Sequence, residues 1–234
     1  MKHSFLVFLA AIALMFTGCG NKADYESEEA GNSATVVRGF YAFDGTGERL
    51  REDGSVIGML FRGFDGPKIY FPGQNLLSTF SESQAKDATA RICKHVREHG
   101  VNRIYMSGFS RGAIIAIEVA NRVKNSCGDA AKLQWMGLVD AVNLSLWNFS
   151  SKVPDGMATV HLKKKKQKIE PHTKVIEAQP LANWTMDDFD HAAIGYENKV
   201  IQFLIQHSEK MGASYREFDE IPKVKNRRTP IEIL

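Results

Sequence analysis

This chain has few cysteines, few long apolar runs and little excess of either charge sign. Each of these features argues against a class of protein. Of the 234 residues only 3 are cysteine, and their spacing matches no metal-ligand pattern. The net charge is only +3, and no basic face is interleaved with aromatic side chains as in nucleic-acid-binding proteins. The sequence has no internal repeat. We therefore expect no metal, no cofactor and no nucleic-acid partner.

The N-terminus has the pattern of a targeting signal. Met1–His3 is a short positive segment, Phe5–Phe16 is apolar, and small residues precede Cys19. About a dozen apolar residues are too few to span a bilayer comfortably. The pattern resembles a bacterial lipoprotein signal, which implies that Cys19 is lipidated and becomes the mature N-terminus. Phe16 stands where leucine is usual, so a plain secretory signal or an uncleaved anchor remains an alternative.

The rest of the chain is long enough for one domain, since about 200 residues can bury one full core. Gly20 is not the aspartate that retains lipoproteins at the inner membrane of enterobacteria. The resemblance therefore implies a lipid-anchored protein of the bacterial cell envelope, attached to the outer membrane. We divide the chain into a signal peptide, a polar tether, a folded domain and a tail, at residues 1–18, 19–33, 34–212 and 213–234.

The segment from Ile104 to Ile115 is the most informative part of the sequence. An apolar strand leads into the G-x-S-x-G motif of Gly108, Ser110 and Gly112, and an apolar helix follows at once. The motif alone occurs by chance in roughly one such chain in ten, so its context discriminates. Strand, turn and helix together predict the nucleophile elbow of an α/β-hydrolase, with Ser110 as the nucleophile. A glycine–serine turn in an ordinary βα unit is the alternative.

Apolar segments of strand length alternate with helical ones through most of the domain. This alternation predicts an α/β-hydrolase-like fold, with a mostly parallel central sheet and helices on both faces. Two apolar pieces near the start, at 56–62 and 68–71, are separated by glycines and a proline that suggest a turn or a hairpin. The other expected strands are 36–43, 101–106, 133–139, 157–162 and 174–178, and the expected helices are 80–99, 111–125 and 197–211.

A serine hydroxyl needs a histidine base and a carboxylate that orients the base. Asp140 directly follows an expected strand, so it should lie at the carboxyl edge of the sheet. An aspartate that caps a turn is the alternative. Of the histidines that follow, we favour His191, because it lies in a loop before the last helix, where this fold usually places its base. His161 falls in a strand and His207 in a helix, while His172, in a loop, is a second candidate base.

Two further features of the sequence allow alternatives: a pair of cysteines that could form a disulfide, and a cluster of acidic residues that could bind a metal. Cys93 and Cys127 flank the elbow in sequence, and in an oxidising compartment they could form a disulfide or remain two thiols. The acidic residues 187, 188 and 190 could bind calcium, but acids at the start of a helix explain them better, and we expect no metal there.

Three motifs together carry a family resemblance. They are Phe43–Gly47, Gly108–Ala113 and Gly137–Asp140, and Tyr70–Gly73 supplies a fourth segment. Together they resemble the α/β-hydrolase domain family related to the phospholipase effectors of bacterial type VI secretion, over residues 36–205. The resemblance implies Ser110 as nucleophile, Asp140 as acid and His191 as base, with the Asp44-Gly45-Thr46 turn near the oxyanion.

From this triad we expect a serine hydrolase of carboxylic esters that acts through an acyl-enzyme. The substrate would be a lipid or a small ester, as for a lipase, a phospholipase or an esterase. The backbone N–H of Arg111 and one from Gly45 or Thr46 would hold the oxyanion. Three alternatives remain: a non-catalytic envelope lipoprotein that uses the fold for binding or as a scaffold, a peptidase or amidase, and an immunity-like protein that neutralises a lipase.

The chain lacks the large insertions that form a lid in those effectors, which favours an open cleft. We expect an apolar rim made of residues Phe40, Phe64, Phe71, Leu144, Leu146 and Trp147. The lysine run at 163–166 is typical of a solvated loop, with contact to anionic headgroups as the alternative.

Overall fold

The computed structural model describes residues 35–50, 54–74, 82–128, 131–142, 149–164, 180–186 and 194–216. Its strands are β1 Arg38–Phe43, β2 Lys68–Phe71, β3 Arg103–Phe109, β4 Lys132–Val139, β5 Ala158–Lys164 and β6 Pro180–Met186. Its helices are α1 Val56–Gly63, α2 Glu82–His99, α3 Arg111–Ser126 and α4 Asn198–Lys210.

The strands form one sheet in the order β2-β1-β3-β4-β5-β6, and every neighbouring pair is parallel. The chain first moves outward from β1 to β2, then crosses back past β1 to β3 and continues in the other direction. The strand order therefore reverses between β1 and β3. In open parallel sheets a crevice forms at the carboxyl ends of the strands at such a point, and ligands bind there.

Helices cover both faces of the sheet. On one face α1 and α4 pack on Phe40, Tyr105 and Trp135, all at most 1% exposed. On the other face α2 and α3 pack on Tyr41 and Met106, both fully buried. Successive strand residues alternate between these two cores, as the strand period of two requires. The expected arrangement of a parallel sheet between two helical layers is confirmed.

A turn or a hairpin was expected between 56–62 and 68–71, and of these two alternatives the hairpin is wrong. Residues 56–63 form helix α1, whose N-cap Ser55 accepts a hydrogen bond from the N–H of Gly58 at 3.2 Å. The strand that follows pairs with β1 in parallel, and a parallel pair requires a crossover rather than a tight turn. All of the first five helical residues are buried. This stretch therefore lacks the alternation of apolar and polar residues by which an amphipathic helix is recognised in a sequence.

The last part of the sheet also differs from the expectation. β5 lies close to the expected strand, whereas the expected strand at 174–178 falls outside the described residues. The edge strand β6 was not expected, because a proline begins it and polar residues interrupt its apolar pattern. Proline is tolerated as the first residue of an edge strand.

A disulfide joins the two helices of one layer. Cys93 of α2 and Cys127 at the C-cap of α3 are bonded, with their Cα atoms 5.0 Å apart. The elbow helix is thereby covalently tied to its neighbour. None of the helices in the described ranges is long and apolar enough to cross a membrane.

Candidate active site

The G-x-S-x-G motif forms a sharp turn at the carboxyl end of β3, beside the point where the strand order reverses. Ser110 is the last residue before α3 and is 8% exposed. A Cβ at Gly108 would lie 2.6 Å from the backbone of Ala113, and a Cβ at Gly112 would collide with the carbonyl oxygen of Asp44. Both motif glycines are therefore required by close backbone approach, as a nucleophile elbow demands.

Backbone strain marks two of the residues that the sequence singled out. Ser110 has φ 53° and Asp140 has φ 39°, and within the described ranges these are the non-glycine residues with positive φ. Such conformations cost of order 1–3 kcal/mol each and tend to cluster at functional sites. Asp140 is also fully buried. The strain falls at the predicted nucleophile and at the predicted acid.

Backbone hydrogen bonds tie these two positions together. The N–H of Ser110 donates to the carbonyl of Val139 at 2.8 Å, and the N–H of Val142 donates to the carbonyl of Ser110 at 3.2 Å. The N–H of Asp140 donates to Leu162 of β5 at 2.7 Å. The turns after β3 and β4 are thus one hydrogen-bonded unit, with Asp140 next to the elbow.

The segment after β1, residues 44–48, lies on the other side of the elbow, and we call it the oxyanion loop. It is held along its length by the end of β2 and by the segment that follows β2. The N–H of Asp44 donates to Phe71 at 3.0 Å, the N–H of Gly47 to Gln74 at 2.8 Å, and the N–H of Gly73 to Glu48 at 2.9 Å. The Tyr70–Gly73 motif therefore serves as the support on which this loop is built.

A buried carboxylate begins the oxyanion loop. Asp44 is 2% exposed, and its carboxylate accepts hydrogen bonds from the N–H of Gly45 at 2.8 Å, from Ser55 at 2.5 Å and from Tyr70 at 2.6 Å. Burial raises the pKa of Asp44 to about 6, although the three donors oppose the shift. Burial, followed by the charge of Asp44, raises the pKa of Tyr70, so this phenol remains a donor.

The sequence predicts that the N–H of Gly45 or of Thr46 holds the oxyanion. In the structure one of these two groups, that of Gly45, already makes a hydrogen bond within the loop. The Gly45 N–H is directed at the Asp44 carboxylate. Among the described residues, the Thr46 N–H makes no hydrogen bond. Arg111 is the first residue of α3, so its N–H belongs to the positive end of the helix dipole.

Phe109, directly before the nucleophile, packs between two glycines from different loops. A Cβ at Gly45 would lie 2.6 Å from its ring, and a Cβ at Gly195 would lie 2.5 Å from the same ring. Gly195 comes four positions after His191 in the sequence. The ring therefore joins the elbow, the oxyanion loop and the segment that enters α4.

His191, Cys19 and His172 lie outside the described residues. His161 lies on β5 beside β4, and burial first, with the charge of Lys163 second, lowers its pKa to about 4, so its ring is neutral at pH 7. The ring nitrogen Nδ1 of His207 lies 2.9 Å from the carbonyl of Phe203, within α4. Across the described ranges no cluster of three or more histidine, cysteine or acidic side chains could hold a metal.

The expected apolar rim is wrong for two of its members. Phe40 is 0% exposed and Phe64 is 1% exposed, and their rings stack in the core beneath α1 with centroids 5.1 Å apart. The phenylalanine of β2, Phe71, is partly buried and stacks on Phe43 at 4.6 Å. Residues 144, 146 and 147 lie outside the described ranges.

Comparison with known proteins identifies the fold. No family model and no curated protein matches the sequence. Among solved structures the chain is similar to the Vlm2 thioesterase domain, with a TM-score of 0.50, 11% identity, and 73% of this chain and 93% of that one covered. A YdeN-like hydrolase from Pectobacterium atrosepticum also has a TM-score of 0.50, with 13% identity and coverage of 75% and 92%. A variant of the esterase rPPE has a TM-score of 0.50, 13% identity and coverage of 76% and 74%. The predicted α/β-hydrolase fold is confirmed.

Proposed function

We propose that this protein is a serine hydrolase of carboxylic esters, a lipase, phospholipase or esterase, with Ser110, Asp140 and His191 as its catalytic triad. One observation carries the proposal: the backbone is strained at Ser110 and at Asp140, and Ser110 is hydrogen-bonded to Val139 and Val142, which lie on either side of Asp140 in the chain. Backbone strain at two residues of complementary side-chain chemistry has no evident value for packing. It is explained if both side chains must face one histidine base.

His191 is proposed as the base on indirect support. β6 ends at Met186, at the same carboxyl edge of the sheet as Ser110 and Asp140, because all the strands are parallel. The chain is next described from Ile194, and Gly195 lies against Phe109. Gly195, four positions after His191 in the sequence, thus lies next to the residue that precedes the nucleophile.

In the proposed reaction, His191 takes the Ser110 proton as the oxygen attacks the ester carbonyl carbon. The oxyanion accepts hydrogen bonds from backbone N–H groups of Arg111 and of the oxyanion loop. Collapse of the tetrahedral intermediate expels the alcohol, which takes the proton from the imidazolium. Water, deprotonated by His191, then attacks the acyl-enzyme carbonyl. Collapse of this second intermediate frees the acid, and the Ser110 oxygen takes the proton back from His191. Asp140 holds the imidazole in the required tautomer.

The substrate class follows from the family resemblance. The motifs at Phe43–Gly47, Gly108–Ala113 and Gly137–Asp140 are those that resemble the type VI phospholipase effectors. We propose a relation to those enzymes, with a lipid or a small ester as substrate. The thioesterase and esterase neighbours use the same fold, which is compatible with acyl transfer but does not select the acyl group.

Hydrolysis by the full chain, purified in mild detergent, tests the function. The substrates are p-nitrophenyl esters of increasing chain length, phosphatidylcholine vesicles and a peptide p-nitroanilide. We expect turnover of an ester and a loss of at least about 1,000-fold on Ser110→Ala. The matched control is Ser208→Ala, a buried serine of α4 whose hydroxyl bonds Ile205 and Tyr215. Undiminished turnover by Ser110→Ala would refute the triad, and cleavage of the anilide alone would indicate a peptidase or amidase.

We also propose that lipid on Cys19 attaches the protein to the envelope, with outer-membrane attachment as the expectation. The support is the signal-like sequence before Cys19 and the residue that follows it. Mass spectrometry of the protein extracted from a bacterial membrane fraction should show a lipidated N-terminal cysteine. Cys19→Ser should lose the lipid and the membrane association. An unmodified Cys19 in a membrane-bound protein would contradict the proposal and favour an uncleaved anchor.

A further inference from the structure

Side chains that the proposed mechanism does not use form hydrogen bonds with both ends of the oxyanion loop. At its start the Asp44 carboxylate is bound by Ser55 and Tyr70, and at its end Glu48 accepts a hydrogen bond from the Tyr196 hydroxyl. Tyr196 follows Gly195, which packs on Phe109. Structural elements from β1, α1, β2 and the entry to α4 therefore converge on one five-residue loop beside the nucleophile.

The donors around Asp44 fix its carboxylate in one orientation. Oδ1 accepts the Gly45 N–H at 2.8 Å, while Oδ2 accepts the hydroxyls of Ser55 at 2.5 Å and Tyr70 at 2.6 Å. The Ser55 oxygen also accepts the Gly58 N–H at the start of α1, so its single proton is committed to Asp44. Three charge-assisted hydrogen bonds on one buried carboxylate make a rigid anchor.

The hydrogen bonds of Asp44 also determine which backbone N–H of the loop remains available to a substrate. Because the Gly45 N–H is bound by Asp44, it is not directed at a substrate. Thr46 supplies the next N–H along the loop, and within the described part of the chain nothing accepts from it. The carbonyl of Asp44 also lies directly against Gly112 of the elbow. A shift of Asp44 would therefore move the loop relative to Ser110.

We propose that Asp44, Ser55 and Tyr70 form a positioning network that presents the Thr46 N–H, rather than the Gly45 N–H, to the oxyanion. This inference rests on the proposed function, in which Ser110 is the nucleophile. Asp44 touches no reacting atom, and its effect passes through the Gly45–Thr46 peptide. An N–H that binds the oxyanion acts mainly in the transition state, so a misplaced loop lowers kcat and leaves KM nearly unchanged.

Single-atom changes in the network test this role. Tyr70→Phe and Ser55→Ala each remove one hydroxyl that binds Asp44, and we expect each to lower kcat about 10-fold, with KM within about 2-fold, because part of a donor's contribution is lost. Ser55→Thr keeps the hydroxyl and should restore kcat to within about 3-fold of the wild type. Tyr41→Phe is the matched control, since its hydroxyl bonds His95 at 3.2 Å on the opposite face of β1.

The assay is steady-state hydrolysis of p-nitrophenyl butyrate at pH 7.5 by the full chain, with thermal unfolding of each variant as a check on folding. Wild-type kcat in folded Tyr70→Phe and Ser55→Ala would overturn the inference, and so would an equal loss in Tyr41→Phe or a loss confined to KM. A wild type that neither turns over ester nor reacts with a fluorophosphonate would instead remove the proposed function, and this inference with it.

Discussion

Replacing Asp44 with asparagine should change how folding stability depends on pH. Burial raises the pKa of Asp44 from 3.8 to about 6 in the folded protein. The folded state therefore binds the proton more tightly than the unfolded state does. The contribution of Asp44 to stability is fully present below pH 3.8 and is lost as the pH rises through 6. The rise of the pKa from 3.8 to about 6, at about 1.36 kcal/mol for each tenfold change in proton affinity, makes the whole loss about 3 kcal/mol.

Urea unfolding of wild type and Asp44→Asn at intervals between pH 4 and pH 8 measures this effect. The variant also loses hydrogen bonds, but that cost is a constant offset, and other titrating groups are common to both proteins. The free energy of unfolding of wild type minus that of the variant should fall by about 2.5 kcal/mol over this range, mostly below pH 6. A difference that stays constant, or that grows with pH, would refute the reasoning.

Three further predictions concern the scaffold of the site. Ser110→Gly should be more stable than Ser110→Ala by about 1 kcal/mol in urea unfolding, because glycine accepts the φ of 53° without strain; equal stabilities would argue against strain at the elbow. Reducing the Cys93–Cys127 disulfide, which closes a separation of 34 residues, should lower the free energy of unfolding by about 4 kcal/mol, whereas a reductant-insensitive protein would contradict the bond. Phe109→Ala should lower the free energy of unfolding by about 3–5 kcal/mol in the same assay and should also lower kcat, while Phe109→Leu should retain more stability and a higher kcat. A loss of stability with unchanged kcat would show that the ring does not position the site.

Sequence patterns predicted the elements whose signals are local. The strand, turn and helix around Ser110 have their apolar periods and glycines within about a dozen residues, so their order could be read directly. The parallel sheet followed from the alternation of strands and helices. Asp140 was singled out because it directly follows an apolar strand, and its role as the acid stays a prediction.

The remaining features depend on contacts between distant residues. Helix α1 is buried over its first turns, so its sequence lacks the polar stripe that distinguishes a helix from a strand. The bonds from Ser55 and Tyr70 to Asp44 span 11 and 26 positions, and each residue alone is an ordinary turn or strand residue. The prediction that Phe40 and Phe64 line the rim was wrong for a related reason. An aromatic residue close in sequence to the active edge can equally well be buried in the core.

Labelling with a fluorophosphonate tests the central claim most directly, because this reagent reports an activated serine without knowledge of the substrate. The full chain, Ser110→Ala, His191→Ala and Ser208→Ala would be labelled side by side and the adduct mapped by peptide mass spectrometry. We predict one adduct, on Ser110, that is absent in Ser110→Ala, slowed at least about 100-fold in His191→Ala and unchanged in Ser208→Ala. A folded wild type without the adduct, or one whose labelling survives in Ser110→Ala, would contradict a catalytic Ser110.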